Sequence, residues 1–374
     1  MSRQEEVDDR IDLIDSEILL LQEKIDRLQL KRKKLLLAAS QPQDQIEEVN
    51  DIVNLSSNEI YRYSRQLLLA DGWGVDGQKA LKCSKVLVIG AGGIGSSLLL
   101  YLAASGVGTI GIVDFDKVEL SNIHRQVIHS ESAANESHGF AKVLSAKYRL
   151  MEINSCIEIK TYNTQLTHEN ALEIIRGGSY DVVVDASDNP KTRYLISDAC
   201  VLSGKPLVSG SAIGTEGQLT VYDPKSGRGC YRCLYPSPKN KKSSHMGNCK
   251  SCSDHGVLGT VPGLIGILQA TEVLKIITKI GSPLYDKLIM YDSLQSTFMT
   301  IKKPPRNSKC EACGPNSTIK SMVDSLKSSM QTRGPSSTTP ISIDERIKEQ
   351  DHISCKEYNE MRMSGKDHVL LDVR

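Results

Sequence analysis

Residues 85–95 read KVLVIGAGGIG, and this stretch decides the fold. A short apolar, β-branched run leads into Gly90, Gly92 and Gly95, spaced Gly-x-Gly-x-x-Gly, and SSLLLYLAASGVG (96–108) follows with helical character. A strand that turns through glycines into a helix lets backbone N–H groups approach a phosphate at the helix N-terminus, where the dipole and free donors favour an anion. TIGIVDFD (109–116) is a second strand-like run, and its Asp114 stands at about the distance expected of an acid that binds ribose hydroxyls. The plainer reading is a glycine-rich turn needed only for tight packing. By itself the fingerprint does not separate NAD from ATP.

Outward from this centre, IEIKTYN (157–163), YDVVVDASD (180–188), KPLVSGSA (205–212) and GQLTVYD (217–223) are further strand-like runs. Strands alternating with helical segments predict an α/β domain around a mostly parallel, Rossmann-like sheet. Several polar groups cluster near the predicted strand ends: Asn122 and Arg125, then Lys142, then Asp188 and Asn189, with Arg62 and Arg65 upstream. A dehydrogenase has little need of so many cations and a further acid. A triphosphate does, because Lys and Arg neutralise it and a carboxylate can hold Mg²⁺.

The 374 residues carry a formal charge of +1, so no global field points to nucleic acid or a membrane surface. No apolar run is expected to reach the roughly 20 residues that span a bilayer. The charged N-terminus, MSRQEEVDDRIDLIDSEILL, has neither signal-peptide nor transit-peptide character, which predicts a cytosolic protein. In a reducing compartment, ten cysteines point to metal or catalytic use before disulfides. Cys83, Cys156, Cys200 and Cys355 stand alone and read as small buried or surface residues. Six others form three Cys-x-x-Cys pairs, 230/233, 249/252 and 310/313, while a tetrahedral thiolate site needs four. A redox role is the weaker reading, because no thioredoxin-like setting surrounds these pairs.

Val7, Ile11, Ile14, Ile18, Leu21, Ile25 and Leu28 alternate steps of four and three, a heptad seam that predicts a coiled-coil helix over residues 1–40. It would serve a homodimer or a partner, or lie as an amphipathic helix on its own body. Residues 41–57 read as a polar linker, and 316–345, rich in Ser and Thr, as a flexible one. Residues 346–374 read as a turn, a helix and an apolar strand that stops at Arg374.

RYSRQ (62–66), VLVIGAGGIGSS (86–97), DFDKVELSNIHRQ (114–126), DASDN (185–189), LVSGSAIGTEGQLTVYDP (207–224), CYRCLYP (230–236), GVLGTVPGLIG (256–266) and CEACG (310–314) together resemble the ThiF/MoeB adenylyltransferases, relatives of the ubiquitin-activating enzymes. The resemblance covers roughly residues 58–315. HVLLDVR (368–374) resembles an opening strand of a rhodanese domain, so the order of parts is that of the eukaryotic molybdopterin-synthase sulfurylases.

The resemblance implies ATP-dependent adenylation, with Mg²⁺, of the C-terminal glycine of a ubiquitin-like sulfur-carrier protein. Carriers of this kind are the small subunit of molybdopterin synthase and an Urm-type modifier used in tRNA thiolation, with a cysteine desulfurase as sulfur donor. Gly93 would join the phosphate loop, and Asp114 would hold the ribose. Ser121, Asn122, Ile123, His124 and Arg125 would line the nucleotide pocket. Lys142 would neutralise phosphate charge, and Asp188 with Asn189 would orient Mg²⁺ and the reacting phosphate. Arg65 would reach into a partner subunit's ATP site, which implies a homodimer. Arg62 reads as surface pairing.

Cys230, Cys233, Cys310 and Cys313 would hold one structural Zn²⁺. Cys252, in a loop with Lys239, Lys241, Lys242 and Lys250, aligns with the family's candidate nucleophile, and Cys249 is extra. The stretch VIHSESAANESHGF (127–140) is longer than the family pattern, so Lys142 keeps its place only if the extra residues bulge outward. His124, His129 and His138 lack metal spacing and read as loop residues. A rhodanese cysteine is expected beyond Arg374, so the sulfurtransferase step is not expected from this chain. An NAD-dependent oxidoreductase would leave the paired cysteines, Arg65 and Arg125 without work, and a non-catalytic carrier-binding scaffold is the third reading.

Overall fold

The computed structural model describes residues 54–69, 73–135, 139–236 and 256–331. The expected coiled coil, most of the 41–57 linker, the rhodanese-like segment, Cys249, Cys252, Cys355 and His138 lie outside them. Among the described residues one eight-stranded sheet runs in the order β3-β2-β1-β4-β5-β6-β7-β8. The strands are β1 (Lys85–Ile89), β2 (Thr109–Val113), β3 (Glu158–Tyr162), β4 (Val182–Asp185), β5 (Leu207–Ile213), β6 (Glu216–Tyr222), β7 (Lys287–Asp292) and β8 (Thr297–Lys302). β3 through β5 in that order pair in parallel, and β5 through β8 pair antiparallel.

The central parallel strands β1, β2 and β4 are buried on both faces, which is why they read as continuous apolar runs. Alternate residues divide between two cores. Val86, Val88, Ile110, Ile112, Val182 and Val184 enter one cluster; Leu87, Ile89, Val113 and Val183 enter the other. Over the first face lie α2 (Gly93–Ser105), α3 (Lys142–Ile153) and α6 (Thr260–Thr278); over the second lie α4 (Ala171–Gly177) and α5 (Pro190–Ser203). α1 (Gly74–Cys83) adds Leu81 to the first core. Each fully buried aliphatic side chain contributes roughly 1.5–3 kcal/mol to this layering.

α6 has the length and mean hydropathy, 1.4, of a membrane span, so the expectation of no such apolar run has this exception. Its apolarity answers to the core. Val261, Ile265, Ala270 and Val273 are buried there, and the Ser97 hydroxyl of α2 donates to the Gly263 carbonyl at 2.6 Å. A side chain at Gly266 would strike the Ile94 carbonyl and Ser97, so glycine sets how closely α2 and α6 approach.

Two elements differ from the expectation. The β7–β8 hairpin extends the sheet through KLIMYDSLQSTFMTIK, a stretch that had suggested no strands. Within the span expected to be a flexible linker, Met322–Gln331 forms helix α7. Its start is fixed locally: the Asp324 carboxylate accepts from the Ser321 N–H (3.0 Å) and hydroxyl (2.8 Å), and the Ser321 hydroxyl accepts from the Asp324 N–H (3.3 Å).

Candidate functional site

Strand order reverses between β1 and β4, and at their carboxyl ends a cleft of about 310 Å³ opens. Such switch points are where open α/β sheets bind ligands. Gly90, Gly92, Gly93, Asp114, Arg125, Lys142, Asp188 and Asn189 all line it. Gly90 leaves β1 at φ +104°, and a Cβ there would come within 2.7 Å of the Ala186 carbonyl after β4. Gly95 stands in the first turn of α2 beneath the Gly90 carbonyl, which a Cβ would strike. The glycines thus bring two strand ends and a helix together at one point.

Asp114, just beyond β2, accepts the Ala91 N–H of the glycine turn at 2.7 Å and the Asp116 N–H at 2.8 Å. Burial raises its pKa, against the opposing pull of Lys142 and of these two donors. Lys142 opens α3. Its ammonium, buried except at the cleft, lies 2.9 Å from the half-exposed Asp116 carboxylate. The longer preceding stretch therefore leaves Lys142 at the cleft. Asp188 is exposed at the mouth. Asn189 is held as the N-cap of α5, its side-chain oxygen accepting the Thr192 N–H at 2.9 Å, and its amide lies 3.4 Å from Asp188. Beneath them Asp185 is fully buried and accepts from the Ser187 (2.6 Å) and Ser209 (2.9 Å) hydroxyls.

Other expected residues fall elsewhere. Ser121, Asn122, Ile123 and His124 form a short turn that is not part of the cleft wall. The Ser121 and Asn122 side chains donate to Glu119 (3.4 and 3.0 Å), and His124 Nδ1 meets the Ser121 carbonyl at 3.0 Å. Arg65 is exposed away from the cleft, and Arg62 donates to the Ile153 carbonyl, the last of α3, at 2.8 Å. His129 lies in a bend, as its reading as a loop residue expects, but it is not a surface residue. It is buried, with Nε2 2.9 Å from the Ala91 carbonyl and Nδ1 3.0 Å from the Ser145 hydroxyl of α3, and burial lowers its pKa to about 4.

The sequence reading did not single out Asp116, Gln126, Thr164, Gln165, Thr192, Ala212, Val257 or Pro262, which also line the wall. Asp116 was the findable one, two residues after Asp114 and ahead of a lysine in need of a partner.

Outside the cleft wall, the four sulfurs of Cys230, Cys233, Cys310 and Cys313 lie within 4.8 Å of one another. Cys230 and Cys310 are 3.6 Å apart, and Cys233 and Cys313 are 3.4 Å apart. A tetrahedral site with metal–sulfur bonds of about 2.3 Å has edges near 3.8 Å, so the cluster fits such an ion with slight expansion and no open position. Among the lone cysteines, Cys200 is buried, and Cys83 and Cys156 are exposed.

Residues 63–312 match the model of the ThiF family. The chain is 48% identical over 321 residues to "Adenylyltransferase and sulfurtransferase MOCS3" of Arabidopsis thaliana, covering 86% of this chain and 66% of that protein. The Culex quinquefasciatus protein of the same name is 46% identical over 326 residues, covering 87% and 70%. The chain therefore spans about two thirds of the length of these curated relatives. The fold is similar to that of E. coli MccB crystallised with ATP: the TM-score is 0.56, identity 27%, and coverage 68% of this chain and 74% of that one. A glycine-turn cleft at the switch point of this sheet, and a family match running from Tyr63 to Ala312, lead to one conclusion: the chain belongs to the ThiF family.

Proposed function

We propose that this chain adenylates the C-terminal glycine of a ubiquitin-like sulfur-carrier protein, using ATP and Mg²⁺. The observation that carries this reading is the convergence of Asp114, Arg125, Lys142 and Asp188 on one glycine-lined cleft. The likeness to MccB solved with ATP, and the relatives' naming as adenylyltransferases, support it.

In this reading a carrier carboxylate oxygen attacks the α-phosphorus of ATP. The bond to the β-phosphate bridging oxygen breaks, pyrophosphate leaves, and an acyl-adenylate forms. Asp114 accepts hydrogen bonds from the ribose hydroxyls. The Gly90–Gly95 turn presents N–H donors to phosphate. Lys142 and Arg125 offset charge as it shifts onto the leaving group, and it is through such fixed charges that enzymes mainly accelerate transfer to and from phosphorus. Asp188 holds Mg²⁺. Ser121, Asn122, Ile123 and His124 stand outside the wall and lead the chain into Arg125, whose guanidinium lies 3.4 Å from His124 Nε2.

Arg65 acts in the ATP site of a second copy. Its exposure, in a segment whose Tyr61 and Leu68 are 86% and 74% exposed, supports a homodimer there. The four-cysteine cluster holds one structural Zn²⁺, and Cys252 takes part after adenylation. The molybdopterin-synthase small subunit and an Urm-type modifier are the carriers, with a cysteine desulfurase acting downstream in the cytosol.

The test is ATP–pyrophosphate exchange with a carrier ending in Gly-Gly. Carrier-dependent exchange is expected, and its absence overturns the proposal. Tight NAD binding without ATP binding would restore the oxidoreductase reading.

A further inference from the structure

The two Cys-x-x-Cys turns differ in sequence, and each has one charged inner residue: Arg232 lies between Cys230 and Cys233, and Glu311 between Cys310 and Cys313. Both charges point to the same place. Arg232 is buried and makes a two-pronged pair with Asp198 of α5, Nε to Oδ1 and Nη2 to Oδ2, each 2.8 Å. Its Nη1 lies 3.8 Å from Glu311 and 3.4 Å from the Ser328 hydroxyl. Ser328 in turn donates to Glu311 at 3.2 Å. Asp198, fully buried, also accepts the Ser325 hydroxyl at 2.5 Å. Ser325 and Ser328 sit one turn apart on α7, the helix that follows the cluster.

We propose that metal binding at the four cysteines and docking of α7 onto α5 form one cooperative unit, joined through Arg232, Glu311 and Asp198. The inference rests on the metal reading of the cluster. Cys230 and Cys310 are 80 residues apart, so closing the two turns on each other costs loop entropy. The apolar patch around the sulfurs is small: Ala312, Ile319 and, from α5, Val201. A metal supplies the missing free energy, as small metal-dependent turns require. With the turns fixed, Arg232 and Glu311 stand where α7 finds its hydroxyl partners. With the turns released, Asp198 and Arg232 lose the geometry that Ser325 and Ser328 meet. Linkage then makes the effect reciprocal: loosening α7 weakens the metal by the same factor as metal loss loosens α7.

The experiment is hydrogen–deuterium exchange of residues 322–331 on the whole chain, with bound zinc counted in parallel. Stripping the metal with a chelator should speed exchange of α7 at least about fivefold, the low end of such couplings, leave β1 and β2 protected, and be reversed by added zinc. Ser325→Ala and Ser328→Ala, which leave all four cysteines in place, should each speed α7 exchange and lower zinc affinity in a chelator competition, the latter by no more than the factor by which metal loss speeds α7 exchange. Metal loss with unchanged α7 protection overturns the coupling while leaving the zinc reading intact. Failure of the wild-type chain to take up zinc on titration overturns the zinc reading and the coupling with it.

Discussion

Lys142 and Asp116 are joined twice: the Lys142 ammonium lies 2.9 Å from the Asp116 carboxylate, and the Lys142 N–H donates to the Asp116 carbonyl at 2.9 Å. The backbone bond fixes where α3 begins, and the ion pair aims the side chain along the cleft. Lys142→Ala should lower carrier-dependent exchange by about 10²–10³, the usual loss for a positioned group that stabilises transition-state charge. Asp116→Asn keeps the backbone bond and should cost less. Equal losses in both variants at saturating ATP would mean that the pair acts as a structural clip.

Asp188 and Cys252 should separate cleanly. Asp188→Ala should abolish exchange, because Asp188 is the wall carboxylate beside Asn189, and the other exposed wall carboxylate, Asp116, is already paired with Lys142. Cys252→Ala should spare adenylation and leave zinc near one per chain. Loss of exchange in Cys252→Ala would place the thiol in the first step.

Gly95 tests the glycine turn without touching a charged group. Its missing Cβ leaves room for the Gly90 carbonyl. Gly95→Ala should lower unfolding free energy by about 1–3 kcal/mol, as overpacking does, and should weaken ATP binding by shifting that carbonyl. Urea denaturation and nucleotide titration on the same preparation check both.

His129 predicts a pH dependence of stability. Its folded pKa, about 4, lies below the ordinary 6.5, so the unfolded chain binds the extra proton. Stability from this residue is complete above about pH 6.5 and is lost as pH falls toward 4. Between pH 7 and pH 5 the loss should be about 2 kcal/mol. His129→Gln should flatten that part of the urea-midpoint profile, and an unchanged slope would remove His129 as its source.

The nucleotide cleft was legible in the sequence because its parts are local. Gly90–Gly95 and Asp114 follow apolar strands, and Asp188–Asn189 follow another. His129 reads correctly as a loop residue, but its burial was not legible, because it depends on Ser145 and Ala91, which are near it only in space. The β7–β8 hairpin was missed for a related reason: every residue of β8 is exposed, so no buried face imposes the alternation that marks a strand. α7 was hidden by its serines. Their hydroxyls read as linker polarity, yet Ser325 is buried on a carboxylate that lies 127 residues away in sequence.

Gly266 never faces the cleft, yet a methyl group there would be pressed against the Ile94 carbonyl in the first turn of α2. In the proposed function that turn is the one whose N–H groups would meet the phosphate. Pro262, one turn earlier on the same helix, already forms part of the cleft wall. In that reading nucleotide affinity should be sensitive to a residue outside the cleft wall. Intolerance to change at Gly266 would look, in an assay of function alone, like the loss of a binding residue.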